Sequence, residues 1–475
     1  MISEQPLHMY RHELDALFPL HRSTPWSPSS EDDCYNYSEP SLTPPSSPPS
    51  SPSMNQHQQQ HHTLFRLLPT CSIPSGIQLG TWISITLEVV SEFGGYQFEA
   101  DPSGTFRLQT GQTLLPLDCC LLLEREGQTS NQSPLSHGLR IEKRALQSTN
   151  WLGMDDLLDP GIGPSGRGGL EVCVMATQRQ TPKTIWISVG SGSNQGIVPL
   201  VLGPIVLGSE VSTVEQTRQV LRPINIPQVH GMSPRIMLLK ETWNNVPQGR
   251  VWDSAFVLVD MFSKAVVNGI RDSAPAMFAG KRILDLSAGT GLLGIFLAGL
   301  AQVEMESSSQ SLLSSSSCTF SPLTPVSSQQ RVASFSRASS PWVTSMSTTV
   351  ILTDLCDALD LINQNIASNQ RRIAPAVKVV AKELAWGASN LRHLGEERFD
   401  VVIASDVVYE ESSFKSLLQT LHRLCAPGYT TLYLGYKRRA LTRDTEALFF
   451  ERVRTMFNVV QTLHEYDVHV WILKR

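Results

Sequence analysis

Residues 282–299 (RILDLSAGTGLLGIFLAG) combine an acidic side chain with a glycine-rich turn. An apolar strand ending near Leu286 carries Asp285 close to its C-terminal edge, and an apolar helix follows Gly291. Glycines between a strand and a helix let a ligand approach main-chain N–H groups closely. This arrangement predicts a nucleotide-cofactor site in an open α/β sheet. An ordinary strand-to-helix turn is the alternative.

Two cofactors fit this turn. The residues GTGLLG, which begin at Gly289, match the dinucleotide pattern G-x-G-x-x-G, a weak signal on its own. The carboxylate of Asp285 could instead receive the ammonium group of S-adenosylmethionine (AdoMet), which a dinucleotide lacks. The turn alone leaves both cofactors open.

Three further side chains could bind a cofactor. Asp354 ends the next predicted strand and could accept hydrogen bonds from both ribose hydroxyls, or it could cap a helix that begins at Asp357. Trp386 follows the third strand and could stack on adenine, or it could belong to the core. Trp252 begins an amphipathic helix and could close over the cofactor, or it could pack on the sheet.

Asp406 and Tyr409 follow the fourth predicted strand at its carboxyl end. A methyl acceptor such as an amine must present its lone pair in line with a sulfonium methyl group, so alignment accounts for most of the catalysis. The carboxylate of Asp406 could orient an amine by accepting its N–H bonds, and Tyr409 could line the channel. The alternative is that Asp406 caps a helix beginning near Glu410.

An alternating pattern of strands and helices from residue 235 onward must position these side chains. The pattern is typical of a doubly wound parallel sheet. The predicted strands cover 282–287, 349–354, 376–381, 399–405, 429–435, 458–464 and 467–473. The predicted helices cover 253–269, 291–303, 357–369, 410–425 and 442–456. Seven strands that end in an antiparallel pair favour a methyltransferase sheet over a dehydrogenase sheet.

A serine-rich segment, 304–347, interrupts this pattern. The acidic residue that binds a cofactor ribose should lie about 20 residues past the glycines. Asp354 lies 63 residues after Gly291, and this spacing becomes 19 when the 44 residues of the segment are left out. We therefore interpret 304–347 as a disordered loop inserted between the first helix and the second strand.

The rest of the chain divides into two parts. Residues 1–62 are rich in serine, proline and glutamine and are predicted to be disordered. Residues 63–234 contain short runs rich in β-branched and aromatic residues, separated by glycine and proline, which predicts a β-rich extension. The catalytic domain is predicted over 235–475.

Composition excludes several classes of function. The net charge of −5, with both signs well mixed, gives no electrostatic support for nucleic-acid binding. The eight cysteines form no C-x-x-C pair, so neither a disulfide framework nor a metal site is expected. The N-terminus lacks a signal-peptide pattern and no apolar run could span a bilayer. We expect a soluble monomer of the cytoplasm, with the nucleus as a second compartment.

The ordered motifs GRVWDSA, DLSAGTGLLGI, ILTDL, ELAWG and SDVVY resemble those of the methyltransferase-like-21 group of seven-strand protein-lysine methyltransferases. The resemblance covers roughly 235–475, and this chain would be a member with an N-terminal extension. It implies AdoMet as the cofactor, a seven-strand Rossmann-like sheet, and a protein substrate methylated on a lysine amine. It implies substrate binding and catalysis for Asp406 and Tyr409. The cofactor contacts that it implies are Trp252, Ser287, Ala288, Gly289, Gly291, Asp354, Trp386 and Ala404.

Two positions depart from that family's pattern. Ser287 stands where glycine is usual, which would weaken cofactor binding if the position requires a positive φ. Asp285 stands where glutamate is more usual and has a shorter reach. A small-amine acceptor, an AdoMet-binding module without catalysis and a dinucleotide dehydrogenase are the alternative functions.

Overall fold

The structure is a computed structural model. It describes residues 64–93, 115–125, 128–130, 138–147, 158–163, 165–179, 181–191, 196–208, 213–214, 219–227, 235–243, 247–315, 347–373, 375–439 and 441–475. The tail predicted over 1–62 and most of the serine-rich segment lie outside the described residues.

The N-terminal half of the described chain is built from short strands. Their bounds are β1 Phe65–Pro69, β2 Ile73–Pro74, β3 Gly76–Ile77, β4 Trp82–Val90, β5 Leu115–Pro116, β6 Asp118–Arg125, β7 Gln128–Ser130, β8 Leu139–Arg144, β9 Gly161–Ile162, β10 Arg167–Ala176, β11 Thr184–Gly190, β12 Ile197–Val198, β13 Leu200–Leu207, β14 Thr213–Val214, β15 Gln219–Ile226 and β16 Arg235–Thr242.

Two sheets pack face to face in this half. One runs in the order β12-β1-β4-β10-β9-β5, with β8 also pairing with β10. The other runs β11-β6-β7-β16-β15-β13-β3, and it closes on itself because β11 also pairs with β13. Alternate residues of β11, namely Ile185, Ile187 and Val189, are fully buried in the core that both sheets share. The prediction of a β-rich extension is confirmed.

The C-terminal half alternates strands and helices. Its strands are β17 Arg282–Leu286, β18 Thr348–Asp354, β19 Val377–Glu383, β20 Val401–Ser405, β21 Thr431–Lys437, β22 Asn458–Glu465 and β23 Val468–Lys474. Its helices are α1 Asp253–Arg271, α2 Leu292–Ser315, α3 Leu359–Asn369, α4 Phe414–Leu424 and α5 Arg443–Met456. Short 3₁₀ turns cover Pro247–Gly249, Cys356–Ala358, Gln370–Arg372, Arg392–Leu394 and Glu411–Ser413.

The seven C-terminal strands form one sheet in the order β19-β18-β17-β20-β21-β23-β22. Strands β17 to β21 are parallel, whereas β23 is antiparallel to both of its neighbours. The chain order reverses around β17, which pairs with β18 on one side and with β20 on the other. Ligands of open α/β sheets bind in the crevice at this point. The predicted seven-strand, Rossmann-like fold is confirmed.

The domain boundary predicted at 234/235 is wrong, because it cuts the β15–β16 hairpin. Strand β16 is also joined to helix α3 by side-chain amides. Asn369 accepts from the N–H of Leu238 and donates to its carbonyl, at 3.1 and 2.9 Å. Asn365 does the same to Lys240, at 2.8 and 3.0 Å. The hairpin therefore belongs to both halves.

The predicted start of the insertion, residue 304, is also wrong. Helix α2 continues to Ser315. The buried carboxylate of Glu304 accepts the N–H groups of Met277, Phe278 and Ala279, at 2.7 to 2.9 Å. The serine-rich composition does not predict that the helix continues past residue 304. Serines near a helix end can donate to carbonyls one turn back, as Ser308 does to Glu304 at 2.9 Å.

Candidate functional site

The glycine turn joins β17 to α2 at the carboxyl edge of the sheet. Ser287, Gly289 and Gly291 all have positive φ angles, of 58°, 57° and 82°. Glycine adopts this left-handed region without a Cβ clash, so the two glycines are what the turn requires. The turn is closed by the N–H of Gly291, which donates to the carbonyl of Ala288 at 2.8 Å. All four predicted turn residues therefore lie at the edge of the crevice.

Asp354 fastens this turn to the end of β18. Its Oδ2 accepts the N–H of Gly289 at 2.8 Å, and its Oδ1 accepts the N–H of Leu355 at 2.8 Å. The 3₁₀ turn that starts at Cys356 has no side-chain cap, so the helix-cap alternative is wrong. Burial raises the pKa of Asp354. A carboxylate has about four lone-pair positions, so two bonds leave capacity for ribose hydroxyls.

Trp386 lies opposite the turn and is held by Ser287. The indole Nε1–H donates to the hydroxyl of Ser287 at 2.9 Å. The Trp386 ring centroid lies 6.0 Å from that of Tyr409, whose side chain is 55% exposed. Serine at a positive φ is strained, but here its hydroxyl orients an aromatic ring beside the crevice. The turn from Ser287 to Gly291, Asp354 and Trp386 are called the cofactor side below.

The structure places Asp285 beneath the glycine turn. Its side chain is 1% exposed, and its Oδ2 accepts the N–H of Gly294 in the first turn of α2 at 2.8 Å. Burial raises the pKa of Asp285 to about 7. The predicted contact with a cofactor ammonium group stays a prediction. This carboxylate holds the start of the helix.

The two predicted alanines differ in exposure. Ala288 is partly buried in the turn, and its N–H donates to the carbonyl of Thr353 at 2.9 Å. Ala404 is fully buried in β20, where it pairs with Leu286 of β17. The side chain of Ala404 thus offers no exposed surface to a cofactor.

Asp406 lies at the end of β20, with a positive φ of 56°. Its Oδ1 accepts from the Oγ of Ser254 at 2.7 Å and from Nη1 of Arg439 at 2.6 Å. Its Oδ2 accepts the N–H of Ser254 at 3.1 Å. Burial raises the pKa of Asp406, against the opposing effect of Arg439. The predicted capping of a helix near Glu410 is wrong, because Asp406 caps α1 instead.

Gly435 of β21 has no side chain, and this allows helix α1 to begin close to the sheet. A Cβ atom added to Gly435 of β21 would lie 3.2 Å from Cβ of Ser254 and 3.0 Å from Cδ1 of Leu258. The close approach brings the first turn of α1 within reach of Asp406. Glycine at this position therefore positions the carboxylate indirectly.

Trp252 lies at the N-cap of α1. Its Nε1–H donates to the carbonyl of Pro247 at 3.2 Å. The guanidinium carbon of Arg439 lies 4.8 Å from its ring centroid, and the ring of Phe93 meets it edge-on at 6.0 Å. None of these three neighbours belongs to a strand, so these contacts do not support the alternative of packing on the sheet. Closure over the cofactor stays a prediction. Asp406, Tyr409, Trp252 and Arg439 are called the acceptor side below.

Sequence reasoning missed two charged residues of this region. Arg439 follows β21, and Glu92 follows β4 in the β-rich half. The carboxylate of Glu92 accepts from Nε and Nη2 of Arg439 at 3.0 and 2.9 Å. The available signal was weak: a run of cations, 437–439, at the carboxyl end of a predicted strand. Glu92 carried no signal, because it lies 347 residues away in the chain.

A buried ion pair joins the same two halves beside the site. Arg66 of β1 donates to Oδ1 of Asp253 and to the carbonyl of Val251, both at 2.7 Å. Lys437 donates to Oδ2 of Asp253 at 2.6 Å. Asp253 and Arg66 are fully buried. A carboxylate at the start of α1 is thus neutralised by one cation from each half.

The part of the chain that the structure describes contains neither a membrane-spanning helix nor a metal-binding cluster. None of the helices in that part of the chain is long and apolar enough to cross a membrane. No group of three or more histidine, cysteine, aspartate or glutamate side chains in that part could hold a metal ion.

The chain matches a family model described as lysine methyltransferase over residues 232–312 and 339–456. The C-terminal half of the chain is therefore similar to this lysine methyltransferase family. The match begins just before β16 and so includes one strand of the β-rich half. It leaves out 313–338, so the departure from the family pattern starts near the end of helix α2.

Named relatives agree with the family match. Mouse (Mus musculus) EEF1A lysine methyltransferase 3 is 28% identical over 225 residues, covering 47% of this chain and 70% of that protein. Mouse protein N-lysine methyltransferase METTL21A is 34% identical over 125 residues, covering 26% of this chain and 54% of that protein. The METTL21A of Danio rerio is 27% identical over 239 residues, covering 49% and 80%. The predicted family is confirmed.

The methyl donor follows from the family. AdoMet as the cofactor is confirmed, and the dinucleotide alternative is wrong. The cofactor side fits such a group. Its turn has left-handed φ angles at both required glycines, Asp354 reaches the turn, and Trp386 presents a fixed ring.

Proposed function

We propose that this protein transfers a methyl group from AdoMet to a lysine side-chain amine of a protein substrate. The observation that carries the proposal is the position of Asp406. It is a buried carboxylate at the carboxyl end of β20, directly beside the strand that leads into the glycine turn. The named relatives, all lysine methyltransferases, support a protein as the acceptor.

The two sides of the crevice have different tasks. When bound, AdoMet supplies an electrophilic methyl group on a sulfonium sulfur. The cofactor side would hold it through the glycine turn, with the carboxylate of Asp354 available to ribose hydroxyls and the ring of Trp386 available to stack on the adenine. The acceptor side has to hold an uncharged amine with its lone pair aimed at that methyl group, because rate enhancement here comes mainly from alignment.

Asp406 retains the capacity to orient the amine. Three hydrogen bonds reach its carboxylate from Ser254 and Arg439. A carboxylate offers about four lone-pair positions, so one position on Oδ2 can accept an amine N–H. The half-exposed ring of Tyr409 lies beside the ring of Trp386, where it can line the path of an extended side chain.

Labelling with tritiated AdoMet and a cell lysate tests this function. We expect a labelled protein band that yields methyllysine on hydrolysis. Asp406→Ala should lower the labelling rate by about a hundredfold, since misalignment alone can cost this much. Asp444→Asn, an exposed change in α5, is the control and should leave the rate unchanged.

Other outcomes would contradict the proposal in distinct ways. Label confined to the acid-soluble fraction would favour a small amine as the acceptor. AdoMet binding in a calorimeter without any labelled product would favour a module that binds but does not transfer. The cytoplasm, with the nucleus second, stays the predicted location, and a monomer stays the predicted state.

A further inference from the structure

Glu92 brings the β-rich half into the acceptor side. It directly follows β4, and its carboxylate is almost fully buried. Besides the two bonds from Arg439, its Oε2 accepts the N–H of Asp253 at 3.2 Å, and Nζ of Lys437 lies 3.6 Å from Oε1. The carboxylate therefore meets the first residue of α1 and two cations that follow or end β21.

Arg439 links this carboxylate to Asp406. One edge of its guanidinium faces Glu92 through Nε and Nη2, while Nη1 donates to Asp406. A guanidinium is planar and presents its donors in a rigid fork, so a bidentate partner on one edge sets the direction of the remaining donor. The orientation of the Asp406 carboxylate thus depends on Glu92.

The charges around Glu92 favour its ionised form. Burial alone would raise its pKa, yet the hydrogen bonds and charge of Arg439, with Lys437 and Arg66, lower the pKa of Glu92 to about 2. Three carboxylates, of Glu92, Asp253 and Asp406, balance these three cations. The network is electrically neutral, so removing one charge leaves another unpaired in a buried place.

The next residue adds an aromatic ring at the same place. Phe93 is 57% exposed, and its ring meets Trp252 edge-on. Trp252 in turn packs under the guanidinium of Arg439. Glu92 and Phe93 together place one charge and one ring from the β-rich half beside the groups assigned to the methyl acceptor.

We propose that the β-rich half completes the acceptor side of the catalytic site, with Glu92 as a positioning residue that acts through Arg439 on the carboxylate of Asp406. This inference rests on the proposed methyl transfer. It assigns the N-terminal half a part in aligning the acceptor amine. The cofactor side receives no contact from Glu92, so AdoMet binding should not depend on it.

The test compares Glu92→Gln with Glu171→Gln in the full-length protein. Glu171 of β10 is a control from the same half, where its carboxylate accepts from Nε of Arg144 of β8 at 2.7 Å. With tritiated AdoMet and lysate, Glu92→Gln should lower the labelling rate at saturating AdoMet by about tenfold to a hundredfold. The AdoMet concentration for half-maximal rate, and the calorimetric affinity for AdoMet, should change less than about twofold, within the range expected without a lost contact. Glu171→Gln should match the wild type.

A second variant covers the case in which Glu92→Gln does not fold. Arg439→Lys keeps the positive charge but cannot bind both carboxylates with a fixed fork. It should lower the maximal rate and leave AdoMet affinity unchanged. Circular dichroism and thermal unfolding would establish that each variant is folded.

The failures are distinguishable. Equal labelling by wild type and Glu92→Gln would overturn this inference alone. Loss of AdoMet affinity in proportion to the lost rate would also overturn it, because that pattern indicates a general structural effect. No labelled protein from the wild type would overturn the proposed function and this inference with it.

Discussion

The cofactor side and the acceptor side of the crevice are built from chain segments at very different separations. The cofactor side comes from the carboxyl ends of β17 and β18 and the loop after β19, within one sheet. The acceptor side draws its charges from both halves, with Glu92 and Arg439 far apart in the chain. One side is a local motif on a common sheet, whereas the other needs the β-rich half to be folded and in place. Cofactor binding and acceptor alignment should therefore respond to different substitutions.

The largest expected effect concerns the buried pair that joins the two halves. Arg66→Met would leave Asp253 with Lys437 as its remaining cation, and breaking such a buried pair costs about 3 to 5 kcal/mol. Arg140→Met removes an exposed pair with Glu142 and should cost less than about 1 kcal/mol. Urea unfolding measures both. Equal losses in the free energy of unfolding would mean that the Arg66–Asp253 pair does not stabilise the contact between the two halves.

The next effect concerns the pH dependence of stability on the cofactor side. Burial raises the pKa of Asp285 to about 7, so the folded protein keeps a proton there that the unfolded chain releases near pH 4. Stability from this group is therefore lost as the pH rises from about 4 to about 7. Asp285→Asn stays neutral throughout. Its free energy of unfolding relative to wild type should rise by at most about 4 kcal/mol between pH 4 and pH 8.

Unfolding at a series of pH values checks this expectation. A constant difference between Asp285→Asn and wild type would contradict it. Such a result would mean that the carboxylate is ionised when folded, as it would be if it faced a cationic ligand.

A third effect separates the two sides by their cofactor affinity. Asp354→Ala removes the carboxylate that fastens the glycine turn, and loss of hydrogen bonds to a charged group costs about 3 kcal/mol, or roughly a hundredfold in the dissociation constant for AdoMet. Asp406→Asn, on the acceptor side, should change that constant less than about threefold, a small fraction of this energy. Calorimetric titration with AdoMet measures the dissociation constant of each variant. Similar losses for both variants would contradict the division of tasks.

The smallest effect concerns the serine in the glycine turn. Ser287→Ala keeps the strained φ of 58° but loses the acceptor for the indole of Trp386, which should cost about 1 kcal/mol. Ser287→Gly loses the same bond but relieves about 1 kcal/mol of strain, so it should lie close to the wild type. Urea unfolding compares the two variants. If both are equally unstable, the turn is not strained at this position.

The sequence predicts the cofactor side better than the acceptor side, and the reason is physical. Hydrophobic periodicity predicted every strand and helix of the C-terminal half to within a few residues, apart from the end of α2. Turn chemistry and spacing predicted that Ser287, Gly289 and Asp354 lie together, since the carboxyl ends of neighbouring parallel strands meet at one edge. The structure confirms that they do.

The remaining features depend on direction and on distant contacts. Both faces of the central strands are covered, so alternation alone could not reveal that Asp285 points beneath the turn rather than into the crevice. Capping of a helix close in sequence was the alternative role for Asp406, yet its carboxylate accepts a hydrogen bond from α1, which begins more than 150 residues earlier. Contacts of this kind are set by tertiary packing and leave no local pattern.

The side-chain amides of Asn365 and Asn369 bond to backbone N–H and carbonyl groups of β16, as a neighbouring strand would. Residue 234 is consequently not a boundary at which the two halves could be separated, exchanged or fused to another protein. A shortened chain beginning at 235 would take β16 from its partner β15 and expose an unpaired edge, which invites aggregation. One beginning at 219 would keep that hairpin whole but would still leave Asp253 and Arg439 without Arg66 and Glu92. Recombination between relatives should therefore preserve the two halves as a matched set.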